Sequence, residues 1–359
     1  MIMNNIFVSI ASYRDDNCIN TINSIYGNAK NPFSVYVGIC QQNDDKIDMD
    51  CLNNDNIVID DKLRNNIRII RIPYYDAKGP NYARYLCSSL LNKNNEKYYL
   101  QIDSHTVFIK NWDEICINMI AEIKDLGLSK KPVISYYPED FSRIGKNKNN
   151  NVPVINGVIF DEKKQIFALK QAVYTNANDT NTNDIYIKTP YVTGGMFFCE
   201  SYFLNELPYD PTLDYLFTGE EILQSIKFYT NGWDVFVPKI NICFHEYLRN
   251  NKPKYWQESK INFDDRKALD KVRYYLFNYD NHNSNKNNHN YYNNYRLGTK
   301  RTLNDYYKFA NININYYNKT RNRNRAIIIF ISGFILIIIV LLSYYFYFAF
   351  QSYLQSKQI

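Results

Sequence analysis

YYLQIDSHTVF, residues 98–108, begins like a buried strand and ends unlike one. Tyr98 to Ile102 are mostly apolar or aromatic, and Asp103 and His105 follow directly. In an extended segment, residues i and i+2 point to the same side. A carboxylate and an imidazole can therefore reach one divalent cation together while Ser104 faces away. The same triplet also reads as a polar turn with a helix-capping Asp. Its surroundings decide between the two.

Upstream, Ile6–Ser12, Phe33–Cys40, Ile67–Ile72 and Lys97–Ile102 read as strands. Asp15 or Asp16 can cap a helix whose Cys18, Ile22, Ile25, Tyr26 and Ala29 share one face. Gly79–Leu91 places Ala83, Leu86, Cys87 and Leu90 on one side, and a helix over Trp112–Leu126 follows the triplet. Strands alternating with helices predict an α/β fold with a mainly parallel, Rossmann-like sheet and flanking helices. Such sheets bind ligands outside the carboxyl ends of their strands, which is where Asp103 and His105 stand. Further on, Pro132–Tyr137, Tyr191–Cys199, Trp233–Val237 and Ile240–His245 read as strands. Glu220–Tyr229 and Trp256–Leu276 read as helices, and the polar stretches Phe141–Asn151 and Asn176–Asp184 as loops.

The C-terminus has a different character. Ala326–Phe350 is an uncharged apolar stretch of 25 residues. At about 1.5 Å per residue it reaches roughly 37 Å, enough for a bilayer core of about 30 Å. The expected division is therefore a catalytic domain over 1–277, an Asn/Tyr/Lys-rich linker over 278–325, a transmembrane helix over 326–350 and a short tail over 351–359. The linker reads as poorly ordered, with room for short helices, and its His282 and His289 as solvated. Lys319, Arg321, Arg323 and Arg325 precede the span and only Lys357 follows it. The positive-inside rule then predicts a tail anchor with the large domain in the cytosol. Ile6–Ile10 is too short for a signal peptide, and Arg14, Asp15 and Asp16 follow it.

The net charge of +6 is spread thinly, with no dense basic patch among aromatics, which argues against a nucleic-acid partner. The seven cysteines are scattered, odd in number and without a CxxC pair. They predict buried thiols in a reducing compartment, with neither a zinc site nor a disulfide framework.

Several stretches occur together in order: IFVSIASYRD at the start, VYVGICQQ at the second strand, DAKGPNYARY before the triplet, and QIDSH itself. They resemble the GT-A glycosyltransferases with a DxD/DxH metal motif, in particular the cytoplasmic polypeptide N-acetylglucosaminyltransferases that act on hydroxyproline of a ubiquitin-ligase adaptor. The mucin-type polypeptide GalNAc-transferases are similar more distantly. The resemblance covers roughly residues 5 to 250.

It implies a GT-A fold, a UDP-sugar donor, a polypeptide acceptor and a divalent metal, usually manganese. Asp103 and His105 match the metal ligands, and His245 in ICFHEY matches a third supplied from downstream. Ser9, Ser12, Tyr13 and Arg14 correspond to nucleotide-contacting positions, as do Gln41 and Gln42. Arg84 and Ser104 fall near the nucleotide and metal. Gly194 and Gly195, in TGGMFF, correspond to a strand under the donor sugar, although two glycines can equally mark a β-bulge. Glu220 and Glu221, in FTGEEI, are the catalytic candidates on the acceptor side. Acidic residues also simply suit a first helical turn. The implied reaction is transfer of GlcNAc from UDP-GlcNAc to a hydroxyproline, Ser or Thr hydroxyl with retention. The alternatives are a catalytically silent, membrane-anchored nucleotide-sugar-binding protein, a transferase with another UDP-sugar or a non-protein acceptor, and a metal-dependent hydrolase.

Overall fold

The computed structural model describes residues 4–53, 56–146, 151–176, 186–248, 252–258, 260–277 and 295–356. Residues 147–150 of the loop expected over Phe141–Asn151, residues 177–184 of that expected over Asn176–Asp184, His282, His289 and most of the expected linker up to residue 294 lie outside the described residues. The chain divides into two units, Met1–Asn311 and Ile312–Ile359.

The first unit is built on strands β1 (Asn5–Tyr13), β2 (Val35–Asn43), β3 (Ile67–Pro73) and β4 (Glu96–Asp103). Helix α1 (Cys18–Asn28), the short α2 (Asp61–Arg64) and α3 (Pro80–Ser88) connect them. These four strands pair in parallel in the order β4-β1-β2-β3. The chain continues through β5 (Thr106–Phe108), α4 (Trp112–Asp125), β6 (Pro132–Ser135) and β7 (Glu139–Asp140). Two antiparallel pairs follow, one inside the other: β8 (Asn151–Ile155) with β11 (Ala172–Asn176), and β9 (Val158–Asp161) with β10 (Ile166–Leu169). Strands β12 (Lys188–Thr189), β13 (Met196–Glu200) and β14 (Asp234–Phe236) extend the sheet to eight, ordered β12-β14-β6-β13-β4-β1-β2-β3. β13 is antiparallel to both β4 and β6, so it reverses direction within a mainly parallel sheet. The fold is mixed α/β, as the alternation predicts.

The sheet is apolar on both faces, as a helix-covered parallel sheet requires. Ile6, Val8 and Ile10 of β1 pack with Ile22 and Ile25 of α1 and with Trp112 and Ile120 of α4. Phe7 of the same strand faces the opposite way, into a cluster with Tyr99, Phe197, Phe203 and Phe228. The short α5 (Phe203–Glu206) and α6 (Glu220–Thr230) supply Phe203 and Phe228. Gly38 lies under the Phe7 ring, where an added Cβ would stand 2.2 Å from Cζ.

Three expectations need correction. The helix predicted over Trp256–Leu276 is a single turn at Tyr255–Gln257 followed by α7 (Arg266–Phe277). Between them Ile261 is drawn into a cluster with Tyr255 and Ala77, so the chain follows that wall instead of coiling. The catalytic unit does not end at 277. Leu297, Leu303, Tyr306, Tyr307 and Ala310 are buried, and α8 (Leu303–Phe309) packs against α6. Its apolar residues recur at helical spacing inside an Asn- and Tyr-rich stretch whose overall composition hides them. Finally, Cys18 and Cys51 form a disulfide; the other five cysteines are free and buried. The pairing follows from the close approach of the start of α1 to the loop after β2, which a separation of 33 residues does not announce.

The second unit is one helix, α9 (Ile314–Ser356), in which Ile329–Phe350 is long and apolar enough to cross a membrane.

Candidate metal centre and donor cavity

β4 carries Asp103 to the carboxyl edge of the sheet, and the chain turns at Ser104 into β5. β15 (Cys243–His245) pairs antiparallel with β5, with His245 opposite Thr106. This register brings the His105 and His245 rings to 4.5 Å between centroids. One ligating atom from each of Asp103, His105 and His245 lies within 4.8 Å of the others. Ligands of one ion at roughly 2.0–2.2 Å are at most about 4.4 Å apart, so a shift of a few tenths of an ångström brings all three onto one cation. His245 Nε2 is 3.0 Å from Asp103 Oδ2, and its Nδ1 is buried without a hydrogen-bond partner among the described residues. One carboxylate and two imidazoles suit Mn²⁺ and neighbouring first-row divalent ions.

Asp15 stands behind this group. Its Oδ2 lies 2.7 Å from His105 Nδ1 and accepts the Ser104 hydroxyl at 2.5 Å. The sequence suggests only a helix cap at this position, because a tertiary partner 90 residues away leaves no local signal.

Arg84 comes from α3, which starts at Pro80 after Gly79 at φ +90°. Its guanidinium is buried and donates to the Gly194 carbonyl at 3.0 Å and to Asp103 Oδ1 at 3.4 Å, and it pairs with Glu220. Burial opposes the Arg84 charge, but Glu220 and Asp103 outweigh it and raise its pKa. Burial likewise pushes Asp103 up, yet His245 and Arg84 hold it below the usual carboxylate range. Burial pushes Glu220 up to about 7 against the pull of Arg84, with Glu221 and Asp103 adding to the rise. Glu221 is also raised by burial, although it accepts the Gly194 N–H at 2.8 Å and the Tyr137 hydroxyl at 2.5 Å.

Gly194 and Gly195 precede β13 and are not part of a bulge within it. The backbone N–H groups of residues 191–194 donate to side chains, as Thr193 N does to Ser135 Oγ. An added Cβ would stand 3.3 Å from Arg84 Nη2 at Gly194 and 3.7 Å from Asp103 Oδ2 at Gly195. Close approach is therefore what Gly194 provides, whereas a Cβ at Gly195 would make ordinary van der Waals contact.

These groups line a cavity of about 490 Å³. Of the residues singled out from sequence, Tyr13, Gln42, Arg84, Asp103, Ser104, His105, Gly194, Gly195, Glu220, Glu221 and His245 line it. The other four do not. Ser9 is fully buried in β1, and Ser12 is buried with its hydroxyl 3.7 Å from Cys51 Sγ. The Gln41 amide donates to Asp50 at 2.9 Å and accepts from Cys51 N at 2.7 Å, so it fastens the loop after β2. Arg14 turns away at φ +46° and pairs with Asp48 and Glu258. Tyr137, Phe217, Tyr247, Tyr255 and Trp256 also line the cavity, unremarked in a chain with 34 tyrosines.

Residues 5–62 and 58–315 match the family described as Glycosyltransferase (GlcNAc). The chain belongs to this family. The match runs past residue 277 and takes in α8, in agreement with the extent of the first unit. No curated protein sequence matches the chain. Among solved structures, GalNAc-T7 with UDP, GalNAc and Mn²⁺ is similar, with a TM-score of 0.51 and 14% identity. That match covers 86% of this chain and 55% of GalNAc-T7, so the chain spans about half the length of that protein. At this identity the likeness establishes the GT-A fold alone. S. aureus TarS 1-349 with UDP-GlcNAc gives a TM-score of 0.42 at 13% identity, over 79% of this chain and 77% of that one.

Proposed function

We propose that the family member described here is a metal-dependent glycosyltransferase that moves GlcNAc from UDP-GlcNAc to a polypeptide hydroxyl with retention. The observation that carries this reading is the convergence of Asp103, His105 and His245 at the carboxyl edge of β4, on the wall of the cavity. These three would hold the divalent cation, for which Mn²⁺ is the first candidate. When bound, such an ion neutralises charge that develops on a departing nucleoside diphosphate. The chain's own groups do the rest. Tyr13 and Gln42, at the ends of β1 and β2, flank the nucleotide. Arg84 fixes the Gly194 carbonyl and Asp103 relative to one another. The bare backbone at Gly194 and Gly195 admits the sugar close to Asp103. Glu220 and Glu221 offer carboxylates to sugar hydroxyls and to the acceptor. Phe217 and Trp256, half-exposed and 5.0 Å apart between centroids, give the cavity an aromatic wall that suits a peptide. Aligning the acceptor hydroxyl with the anomeric carbon is itself a large contribution to rate.

The test uses the full-length protein. UDP is titrated with and without Mn²⁺, and UDP release and product mass are followed with a panel of UDP-sugars and peptides. Cation-dependent UDP binding with GlcNAc added to peptide is the expected result. Binding without turnover would leave a silent binding protein, and free sugar in the presence of excess acceptor would indicate a hydrolase.

The apolar stretch of α9 is proposed as a membrane anchor, with the first unit in the cytosol, although the Cys18–Cys51 disulfide favours an oxidising compartment. The basic run Lys319, Arg321, Arg323 and Arg325 supports that orientation. Protease added to intact microsomes should digest the first unit; protection, or a glycan at Asn178, would reverse the orientation.

A further inference from the structure

The ligands at the edge of β4 do not hold themselves in place. Asp15 lies just past the end of β1 and is 4% exposed. Its two oxygens are used differently. Oδ1 accepts the Asn17 backbone N–H at 3.0 Å, which fixes the carboxylate at the start of α1. Oδ2 meets His105 Nδ1 at 2.7 Å and the Ser104 hydroxyl at 2.5 Å. A second grip comes from one turn along α1. Thr21 Oγ1 donates to the Ser104 carbonyl at 2.8 Å and accepts the Thr106 N–H at 2.9 Å. The segment 104–106 is thus clamped to α1 through its side chains and its backbone.

An ionised carboxylate only accepts hydrogen bonds, so His105 must carry its proton on Nδ1. In the neutral imidazole, the form that can ligate a metal, Nε2 is then left as a bare lone pair on the far side of the ring. The other members of the group, Asp103 and His245, lie within 4.8 Å in ligating-atom distance. We infer that Asp15 is a positioning residue for the metal centre: it sets the tautomer and the ring orientation of His105, so that Nε2 faces the cation. This rests on the reading of Asp103, His105 and His245 as a cation site. A carboxylate behind a ligating imidazole raises its basicity, and losing one typically weakens metal binding by 10- to 100-fold.

The variants are Asp15→Asn and Asp15→Glu in the full-length protein. Two readouts avoid turnover. One is Mn²⁺ affinity without donor, by calorimetry or by the free-ion electron paramagnetic resonance signal. The other is the ¹⁵N spectrum of His-labelled protein in EDTA, where four histidines give few signals and His105→Gln identifies the one of interest. Wild type should show the Nδ1–H form of His105. Asp15→Asn should shift that signal toward the Nε2–H form and bind Mn²⁺ about 10- to 100-fold more weakly. Asp15→Glu should recover part of both. A purely structural role for Asp15 would lower the melting temperature while leaving tautomer and affinity unchanged in the folded protein, and that result overturns the inference. Absence of Mn²⁺ binding in wild type removes the cation site itself, and the inference with it. Wild-type binding that Asp15→Asn retains in full rejects the role of Asp15 alone.

Discussion

Tyr306 separates a linker from a folded element. It lies in α8, within the stretch whose composition reads as disordered, yet it is fully buried. Its hydroxyl donates to the Pro190 carbonyl at 3.2 Å and its ring meets Tyr229 edge-on at 5.5 Å. Thr302 caps the helix, accepting Asp305 N at 3.1 Å. Replacing a large buried aromatic with alanine costs about 3–5 kcal/mol through lost transfer energy and a residual cavity. For a unit of this size, each kcal/mol moves the midpoint by roughly 2–3 °C, so Tyr306→Ala should melt roughly 6–15 °C below wild type. Tyr306→Phe removes only the hydrogen bond and should cost about 1 kcal/mol. Asn304→Ala, exposed on the same helix, is the control and should change little. Thermal unfolding of the full-length protein reads all three. A Tyr306→Ala midpoint within about 2 °C of wild type would mean that 295–311 is a tether after all.

Asp103→Asn keeps the side-chain shape but removes the charge, and should slow UDP release by about 10²-fold or more without unfolding. His245→Ala should regain part of its activity in excess Mn²⁺; full wild-type activity in EDTA would reject the metal role for both. Glu220, with its pKa raised from 4.5 to about 7, binds its proton more tightly folded than unfolded. Its contribution to stability is therefore complete below about pH 4.5 and is lost as pH rises through about 7. In EDTA, wild type should lose stability relative to Glu220→Gln across that window, and parallel curves would contradict the assignment. The disulfide between Cys18 and Cys51 closes a loop of 33 residues, worth about 3–4 kcal/mol in the chain-entropy account. Reduction should lower the melting temperature, and peptide mapping without reductant should recover the two as one linked fragment.

What sequence revealed and what it hid divide along physical lines. β1 to β4 were legible because a parallel sheet covered on both faces demands apolar runs, and the helices between them keep a regular period. Asp103 and His105 were legible because they interrupt such a run. His245 needed the resemblance, since only the pairing of β15 with β5 brings it near. Asp15, Tyr137 and the disulfide were hidden for the same reason: each depends on contacts between distant segments. Arg14 and Gln41 failed differently. Each is polar and stands at a strand end, as a ligand contact should, but each is bound to an acid of the loop after β2, Asp48 or Asp50. A polar residue at the sheet edge serves the loop or the ligand, and spacing along the chain does not distinguish the two.

The charges on the cavity wall bear directly on the proposed cation site. Asp103 stays ionised, and Glu220 and Glu221 stand nearby, with Arg84 paired to Glu220 and Asp103. That guanidinium is already divided among Glu220, Asp103 and the Gly194 carbonyl, so it has little left for a phosphate. Two like charges 4 Å apart repel by about 4 kcal/mol at an effective dielectric of 20. A diphosphate entering beside Asp103 without a cation would meet that cost there, while the lysine of the cavity lining, Lys254, sits over the Trp256 ring. Asp103, His105 and His245 add one negative charge and two neutral nitrogens, so a divalent ion held by them leaves a net positive charge facing the cavity. On the proposed function, a nucleotide that arrives with its metal would meet attraction where a bare one meets Asp103. Arg84 ties Glu220 and Asp103 to the Gly194 carbonyl.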